Sequence, residues 1–180
     1  MASFQPAFQR LLSIEGTAFT NLSTDRGGAT RFGITKATLA GYRRNRITSD
    51  ADVESLTVDE AAAIYEQNYW DRLSLDKVNS QQIAYSLFDQ GVNCGPLVAA
   101  KRAQKVLAQL KFSIPQDGVM GPLTTNALNS STLNEKRFLF EFCMESLRYY
   151  AKIVKKDPTQ VAFILGWTNR IGELMEGIVT

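Results

Sequence analysis

Apolar residues recur at helical spacing along most of this chain, and this spacing constrains the fold more than any other feature. Residues 4–15 and 97–110 show it, each on one face of a predicted helix. Residues 16–36 interrupt the pattern with Gly, Thr, Ser and Asn, which are typical of a loop and a small β-hairpin. The sequence therefore predicts a mainly α fold with one small β-hairpin after the first helix.

Capping signals predict where several helices begin. Thr57 and Glu60 form a capping box before VDEAAAIYEQNYWDRL, and Thr132 with Glu135 forms a second box that opens a long helix to about residue 155. Asp157, followed by proline, is a typical N-cap for the last helix.

Composition excludes several kinds of chemistry. The 180 residues include no histidine, which removes His-based triads, His-ligated zinc and histidine general bases. The net charge of +2 is too small for a typical nucleic-acid binder. Cys94 and Cys143 form neither a metal-ligand pattern nor a disulfide framework, so we expect two reduced thiols and no metal or cofactor.

The chain carries no recognisable membrane or export segment. It has no apolar run of 18 residues, and its first residues lack the basic and apolar regions of a signal peptide. We therefore expect synthesis in the cytoplasm without a signal peptide and no stable membrane association. A protein of this kind that acts outside the cytoplasm would depend on another factor for export or release.

Glu15 is the first candidate catalytic residue. At helical spacing it lies about 20° around the helix from Phe4, so it projects from the apolar stripe. It also stands in the last turn, where the helix dipole disfavours negative charge. Both effects favour a carboxyl that holds its proton, as a general acid must. The alternative is a surface residue at a frayed helix end.

Asp25 is the second candidate, ten residues later in the polar Gly-rich segment. There a carboxylate is solvated or hydrogen-bonded and stays ionised, although Asp-x-Gly-Gly is also a plain turn sequence. Cleavage of a glycosidic bond with inversion needs two carboxyl groups roughly 6.5–9.5 Å apart, with room for a water molecule. Thr30 would position that water through its hydroxyl, and Thr35 is the second candidate for the same role.

The order Glu15, Asp25, Thr30 resembles the catalytic set of phage-type lysozymes, and more closely the glycoside hydrolase family 108 muramidases. That family shows Glu-Gly-Gly followed by Asp-x-Gly-Gly-x-Thr-x-x-Gly-Ile-Thr. The second glycine of the first motif is Thr17 here, which affects loop shape and leaves the glutamate unaltered. The matching residues of the second motif are Asp25, Gly27, Gly28, Thr30, Gly33, Ile34 and Thr35.

The resemblance continues nearly to the end of the chain. LTVDEAAAIYEQNYWD (56–71) and SLFDQGVNCG (86–95) match the catalytic part, whereas DGVMGPLT (117–124) and GWTNR (166–170) resemble its C-terminal predicted peptidoglycan-binding module. It implies a lysozyme-like helical fold, with a catalytic lobe over residues 1–93 and a peptidoglycan-binding lobe over 94–180, packed as one compact unit.

The implied activity is that of an N-acetylmuramidase, which cleaves the β-1,4 bond between N-acetylmuramic acid and N-acetylglucosamine in bacterial peptidoglycan. Glu15 would be the acid, with Asp25 and Thr30 acting on water and the configuration inverting. The setting would be phage lysis, as an endolysin with a holin, or secretion-linked wall remodelling with a secretion partner. We expect a monomer. The alternatives are a lytic transglycosylase and a non-catalytic peptidoglycan-binding protein.

Four further residues are predicted to bind the glycan, together with Thr35. Tyr69 and Trp70 would offer ring faces to sugars, although aromatic residues at helical spacing also serve as core. Asp89 and Asn93 lie four residues apart on one helix face, where they would either line the cleft or cap the next helix.

Overall fold

The computed structural model describes residues 1–21, 28–44 and 48–179. Within them the fold is mainly α with one two-stranded antiparallel sheet after the first helix, which confirms the predicted fold class. The strands are β1 (Thr30–Arg31) and β2 (Ile34–Thr35). The helices are α1 (Phe4–Glu15), α2 (Lys36–Arg43), α3 (Asp50–Glu54), α4 (Val58–Tyr65), α5 (Gln81–Cys94), α6 (Pro96–Gln109), α7 (Pro122–Ser130), α8 (Glu135–Lys156) and α9 (Ile164–Val179).

The chain divides into two compact units. The N-terminal unit is Ser3–Asp71, and the C-terminal unit is Arg72–Thr180 together with Met1–Ala2. The sequence predicts that the catalytic lobe ends at residue 93. In the structure, the boundary between the two compact units falls earlier, between Asp71 and Arg72 and before α5. The reason is that α5 packs against α6 and α8, so its apolar face is buried within the C-terminal unit. The boundary at residue 93 stays a prediction about function.

A tight hairpin dominates the N-terminal unit. Thr30 pairs with Thr35 and Arg31 with Ile34, so only Phe32 and Gly33 form the loop. Both have positive φ, 53° and 73°, which is the geometry of a type I′ turn and suits the twist of a two-residue hairpin. The segment 22–27, which includes Asp25, lies outside the described residues.

The helix predicted after Thr57 is divided into three parts. Thr57 Oγ1 accepts the N–H of Glu60 at 3.2 Å, as the capping box requires, but the Glu60 carboxylate accepts from Arg43 at 2.7 and 2.8 Å. The regular helix α4 then gives way to a π-helical turn, Glu66–Trp70, and a 3₁₀ turn, Asp71–Leu73. Hydrophobic spacing predicts the existence of a helix here but not the extra residue that a π turn inserts.

The C-terminal unit is a bundle of α5 to α9. Helix α6 packs against α5 and α8, and α8 packs against α9. Its interior is largely apolar, with Phe88, Phe138 and Phe142 fully buried. Ala2 donates its backbone N–H to the carbonyl of Val78 at 2.7 Å, and this contact explains why the first two residues belong to this unit.

The two helix starts predicted for the C-terminal part have different outcomes. The predicted capping box of Thr132 and Glu135 is wrong. Residues Ser131–Asn134 form a 3₁₀ turn, and the Thr132 hydroxyl donates to the carbonyl of Asn129 at 2.8 Å. Asp157 does cap, since its carboxylate accepts the N–H of Thr159 at 3.1 Å, but it caps a 3₁₀ turn that precedes α9.

Both cysteines are free, as expected. Cys143 is buried, and that burial, aided by the negative charge of Asp89, raises the pKa of its thiol to about 12. Cys94 is half-buried. In the described part of the chain, no helix combines the length and the apolar character that crossing a membrane would require.

Candidate active site

The candidate acid, Glu15, lies at the C-terminal end of α1, and the sequence of this helix defines where it ends. Phe4, Ala7, Phe8 and Leu11 are buried on one face. Gly16 ends the helix with φ of 77° and donates its N–H to the carbonyl of Leu12 at 3.0 Å. Glu15 is the last helical residue and is half-buried, so its carboxyl is at the edge of the core.

The tip of the hairpin lies directly beside Glu15. A Cβ atom placed on Gly33 would be 3.1 Å from Glu15 Oε2 and 2.7 Å from the hydroxyl of Tyr65. Position 33 therefore requires glycine for two reasons. Its φ is positive, and the side chains of Glu15 and Tyr65 leave no room for a Cβ atom. The structure thus brings the end of α1, the hairpin tip and α4 together around one carboxyl group.

Tyr65, the last residue of α4, contacts both the hairpin and α1. It is 2% exposed, and its hydroxyl donates to the backbone carbonyl of Phe32 at 2.9 Å. Its ring contacts Phe8, with ring centroids 5.8 Å apart, and so connects α1 with the hairpin. The hydrogen bond of Tyr65 has no local sequence signal, because its partner lies 33 residues away.

Tyr69 lies next to Tyr65. The two rings are 5.7 Å apart and tilted by 35°, and Tyr69 is half-buried. The π-helical turn carries this residue, so its ring remains close to that of Tyr65 although the regular helix has ended. Tyr69 is therefore the predicted substrate-binding aromatic that keeps part of its surface accessible in the N-terminal unit.

Trp70 is enclosed. It is 2% exposed, and its ring packs edge-on against Phe4 at 5.7 Å. In this structure it serves as core, the alternative that the helical spacing left open, because a ring without an exposed face does not stack on a sugar.

Thr30 and Thr35 are directly opposite each other on β1 and β2, so their side chains lie on the same face of the hairpin. The Thr30 hydroxyl donates to the carbonyl of Gly28 at 3.2 Å. Thr35 caps α2, because its hydroxyl oxygen accepts the N–H of Thr38 at 3.3 Å. Both are half-buried.

Asp89 and Asn93 belong to the C-terminal unit. Asp89 is fully buried, and its Oδ1 accepts from Nε of Arg170 at 2.8 Å, so it joins α5 to α9. Asn93 is half-buried near the end of α5. The contacts of Asp89 are those of a structural ion pair, and the sequence could not show this because Arg170 follows 81 residues later.

The described residues contain no cluster of three or more His, Cys, Asp or Glu side chains that could hold a metal ion. At this site the described residues place the carboxyl group of Glu15 beside the hairpin tip and the hydroxyl group of Tyr65.

Comparisons with known proteins match both parts of the chain. Residues 8–95 match the family model Glycosyl hydrolase 108, and residues 98–172 match a model described as a predicted peptidoglycan domain. No curated protein matches the chain. Among solved structures, that of Brucella abortus SagA is similar, with 31% identity and a TM-score of 0.80 over 98% of this chain and 93% of that chain.

The two matched regions follow each other along the chain and account for most of it. They support a glycoside hydrolase with a role in cleaving or binding peptidoglycan. Because the structural likeness extends over nearly the whole length of both chains at more than 30% identity, it covers both regions. The chain belongs to the glycosyl hydrolase 108 family.

Proposed function

We propose that the protein is an N-acetylmuramidase, which hydrolyses the β-1,4 bond between N-acetylmuramic acid and N-acetylglucosamine in bacterial peptidoglycan. The observation that carries this proposal is the position of Glu15, a half-buried carboxyl group at a helix end beside the hairpin tip. A group so placed is held in one orientation by its surroundings, which a general acid needs.

In the proposed reaction Glu15 donates its proton to the glycosidic oxygen as the bond from that oxygen to C1 breaks. A water molecule attacks C1 from the opposite face, and Asp25 takes its proton, so the configuration inverts. The Thr30 hydroxyl already donates to Gly28, which leaves its oxygen to accept a hydrogen bond from that water. Tyr69 and Thr35 would contact the glycan, and no cofactor is required.

The test is digestion of purified sacculi by the protein and its Glu15→Gln variant. We expect the parent to release muropeptides with reducing ends, and the variant to be about 100-fold slower or more, as loss of a general acid implies. Glu54→Gln is the matched control, because Glu54 is an exposed glutamate of the same unit at the end of α3. It should retain activity.

Product analysis distinguishes the proposed reaction from its alternatives. Inversion predicts that NMR detects the α-anomer as the first product, and Asp25→Asn should abolish release. Products with 1,6-anhydro ends would instead identify a lytic transglycosylase. A parent that binds sacculi but releases nothing would be a binding protein only.

We propose that the setting is phage lysis, as an endolysin released with the help of a holin, or secretion-linked wall remodelling. In both cases the protein acts on the cell wall as a monomer after synthesis in the cytoplasm.

A further inference from the structure

The C-terminal unit contains a cavity of about 320 Å³ between α6 and α8. This volume is within the range of small-ligand sites. Its lining is rich in positive charge, with four cationic side chains and one carboxylate. The charged and aromatic groups that line it are Lys101, Arg102, Lys105, Glu145, Tyr149 and Lys152.

Arg102 is the fixed group of this cavity. It is only 6% exposed, and its guanidinium lies 4.9 Å from the ring centre of Tyr149. Nη1 donates to Oε1 of Gln90 at 3.0 Å. Within the described part of the chain, however, its buried Nε–H has no acceptor. Nη2 donates to Sγ of Cys94, and Nε has no accessible surface, so the guanidinium acts on a ligand in the cavity through its positive charge.

The other cations divide into two kinds. Lys105 is neutralised by Glu145, whose Oε2 lies 2.6 Å from Nζ. Lys101 and Lys152 are exposed and form no ion pair with any residue that the structure describes. The cavity therefore keeps an excess of positive charge after its internal pair is counted.

We propose that this cavity binds a free carboxylate of the peptide stems of peptidoglycan. The proposal rests on peptidoglycan being the substrate. A glycan strand offers neutral hydroxyl and acetamido groups, which gain little from lysine and arginine, whereas the stems carry carboxylates that charged donors bind strongly. Val98 and the Tyr149 ring supply apolar wall for the aliphatic part of a stem.

The test is calorimetric titration of the Glu15→Gln protein, so that binding is measured without cleavage. The ligands are a disaccharide–peptide from peptidoglycan, a disaccharide of two N-acetylglucosamine units, which carries no carboxylate, the disaccharide–peptide with its carboxylates methyl-esterified, and inorganic phosphate. We expect the intact disaccharide–peptide to bind, with the N-acetylglucosamine disaccharide and the esterified form weaker by about tenfold or more, because each lacks the charged acceptor.

The variant Lys101→Ala/Lys152→Ala should weaken binding of the disaccharide–peptide by about tenfold. Both side chains are exposed, so the fold should be unaffected, and circular dichroism checks this. Lys155→Ala/Lys156→Ala is the matched control, because these two exposed lysines lie on α8 but outside the cavity lining. It should bind as the parent does.

Three results would overturn the proposal: equal binding of the N-acetylglucosamine disaccharide, unchanged affinity in the Lys101→Ala/Lys152→Ala variant, or phosphate binding as tightly as the disaccharide–peptide. Failure of the muramidase proposal gives a different result, because the parent would then bind the disaccharide–peptide without cleaving sacculi. Cleavage of sacculi without this binding would overturn the cavity proposal alone.

Discussion

At the scale of single residues, the candidate acid Glu15 and its neighbour Tyr65 leave no room for a side chain at position 33. The hydroxyl of Tyr65 and Oε2 of Glu15 both approach the position where any other residue at 33 would have its Cβ. The orientation of the carboxyl therefore depends on a glycine that performs no chemistry itself.

Gly33→Ala should impair both folding and activity. The positive φ of 73° costs an alanine about 1–2 kcal/mol in free energy of unfolding, and contact of the new methyl group with Tyr65 and Glu15 adds to this. Because the methyl group displaces the Glu15 carboxyl, we expect hydrolysis of sacculi to fall by about tenfold or more. Thermal unfolding and initial rates measure the two effects.

Gly28→Ala separates backbone strain from collision. Gly28 has a φ of 66°, yet nothing lies within 4 Å of its Cβ position among the described residues. It should show the strain cost alone. If the two variants lost equal stability and activity, the argument from close contact would be wrong.

The sequence could indicate Glu15 because its signal is local: one helix supplies both the apolar stripe and the helix end. The pairing of Asp89 with Arg170 and of Tyr65 with Phe32 depends on residues brought together from distant positions. Hydrophobic spacing carries no information about such partners, so polar residues on a helix face can be mistaken for ligand contacts.

At the scale of elements, the helices were predictable where a cap and an apolar stripe coincide, as in α1 and α5. The π-helical turn Glu66–Trp70 was not predictable, because its residues have ordinary helical preferences and tertiary packing decides the change. The ion pair between α6 and α8 was equally hidden, since the buried carboxylate of Glu145 accepts from Lys105, 40 residues earlier in the chain, as well as from Arg148.

Removal of that carboxylate should make stability depend less on pH. Burial acts to raise the pKa of Glu145, but hydrogen bonds from Lys105 and Arg148 outweigh it and hold the pKa below its usual value. The ionised form therefore stabilises the fold above the ordinary pKa of glutamate, and this contribution is lost as the pH falls through the lowered value. We expect Glu145→Gln to lose about 1–3 kcal/mol at pH 7 and much less at pH 3.

Urea unfolding of parent and variant at the two pH values measures this difference. Glu141→Gln is the control, because Glu141 lies on the same helix and forms no ion pair with the described residues. A loss for Glu145→Gln that is the same at both pH values would show that shape, not charge, matters at this contact.

At the scale of the whole molecule, packing and sequence similarity divide the chain at different places. The family models change between residues 95 and 98, whereas the compact units change at residue 71. Helix α5 is thus matched by the catalytic family model but buried in the C-terminal unit, where Asp89 and Gln90 bind Arg170 and Arg102.

A fragment of residues 72–180 should therefore fold, and a fragment of residues 94–180 should not. The shorter fragment lacks α5, which leaves Arg170 without the carboxylate of Asp89. Breaking a buried pair of this kind costs about 3–5 kcal/mol, apart from the lost apolar contacts. Thermal unfolding followed by circular dichroism should show a cooperative transition for residues 72–180 only. A cooperative transition of equal midpoint in the shorter fragment would contradict the division at residue 71.

The two-residue loop of the hairpin has a consequence for how this chain tolerates change in length. Each strand has two residues, and successive residues of a strand face opposite sides. One inserted or deleted residue between Thr30 and Thr35 would shift the pairing by one position and turn one of these threonines to the other face. Variation in length among related chains should therefore be excluded from this short segment and accumulate in the connections between helices.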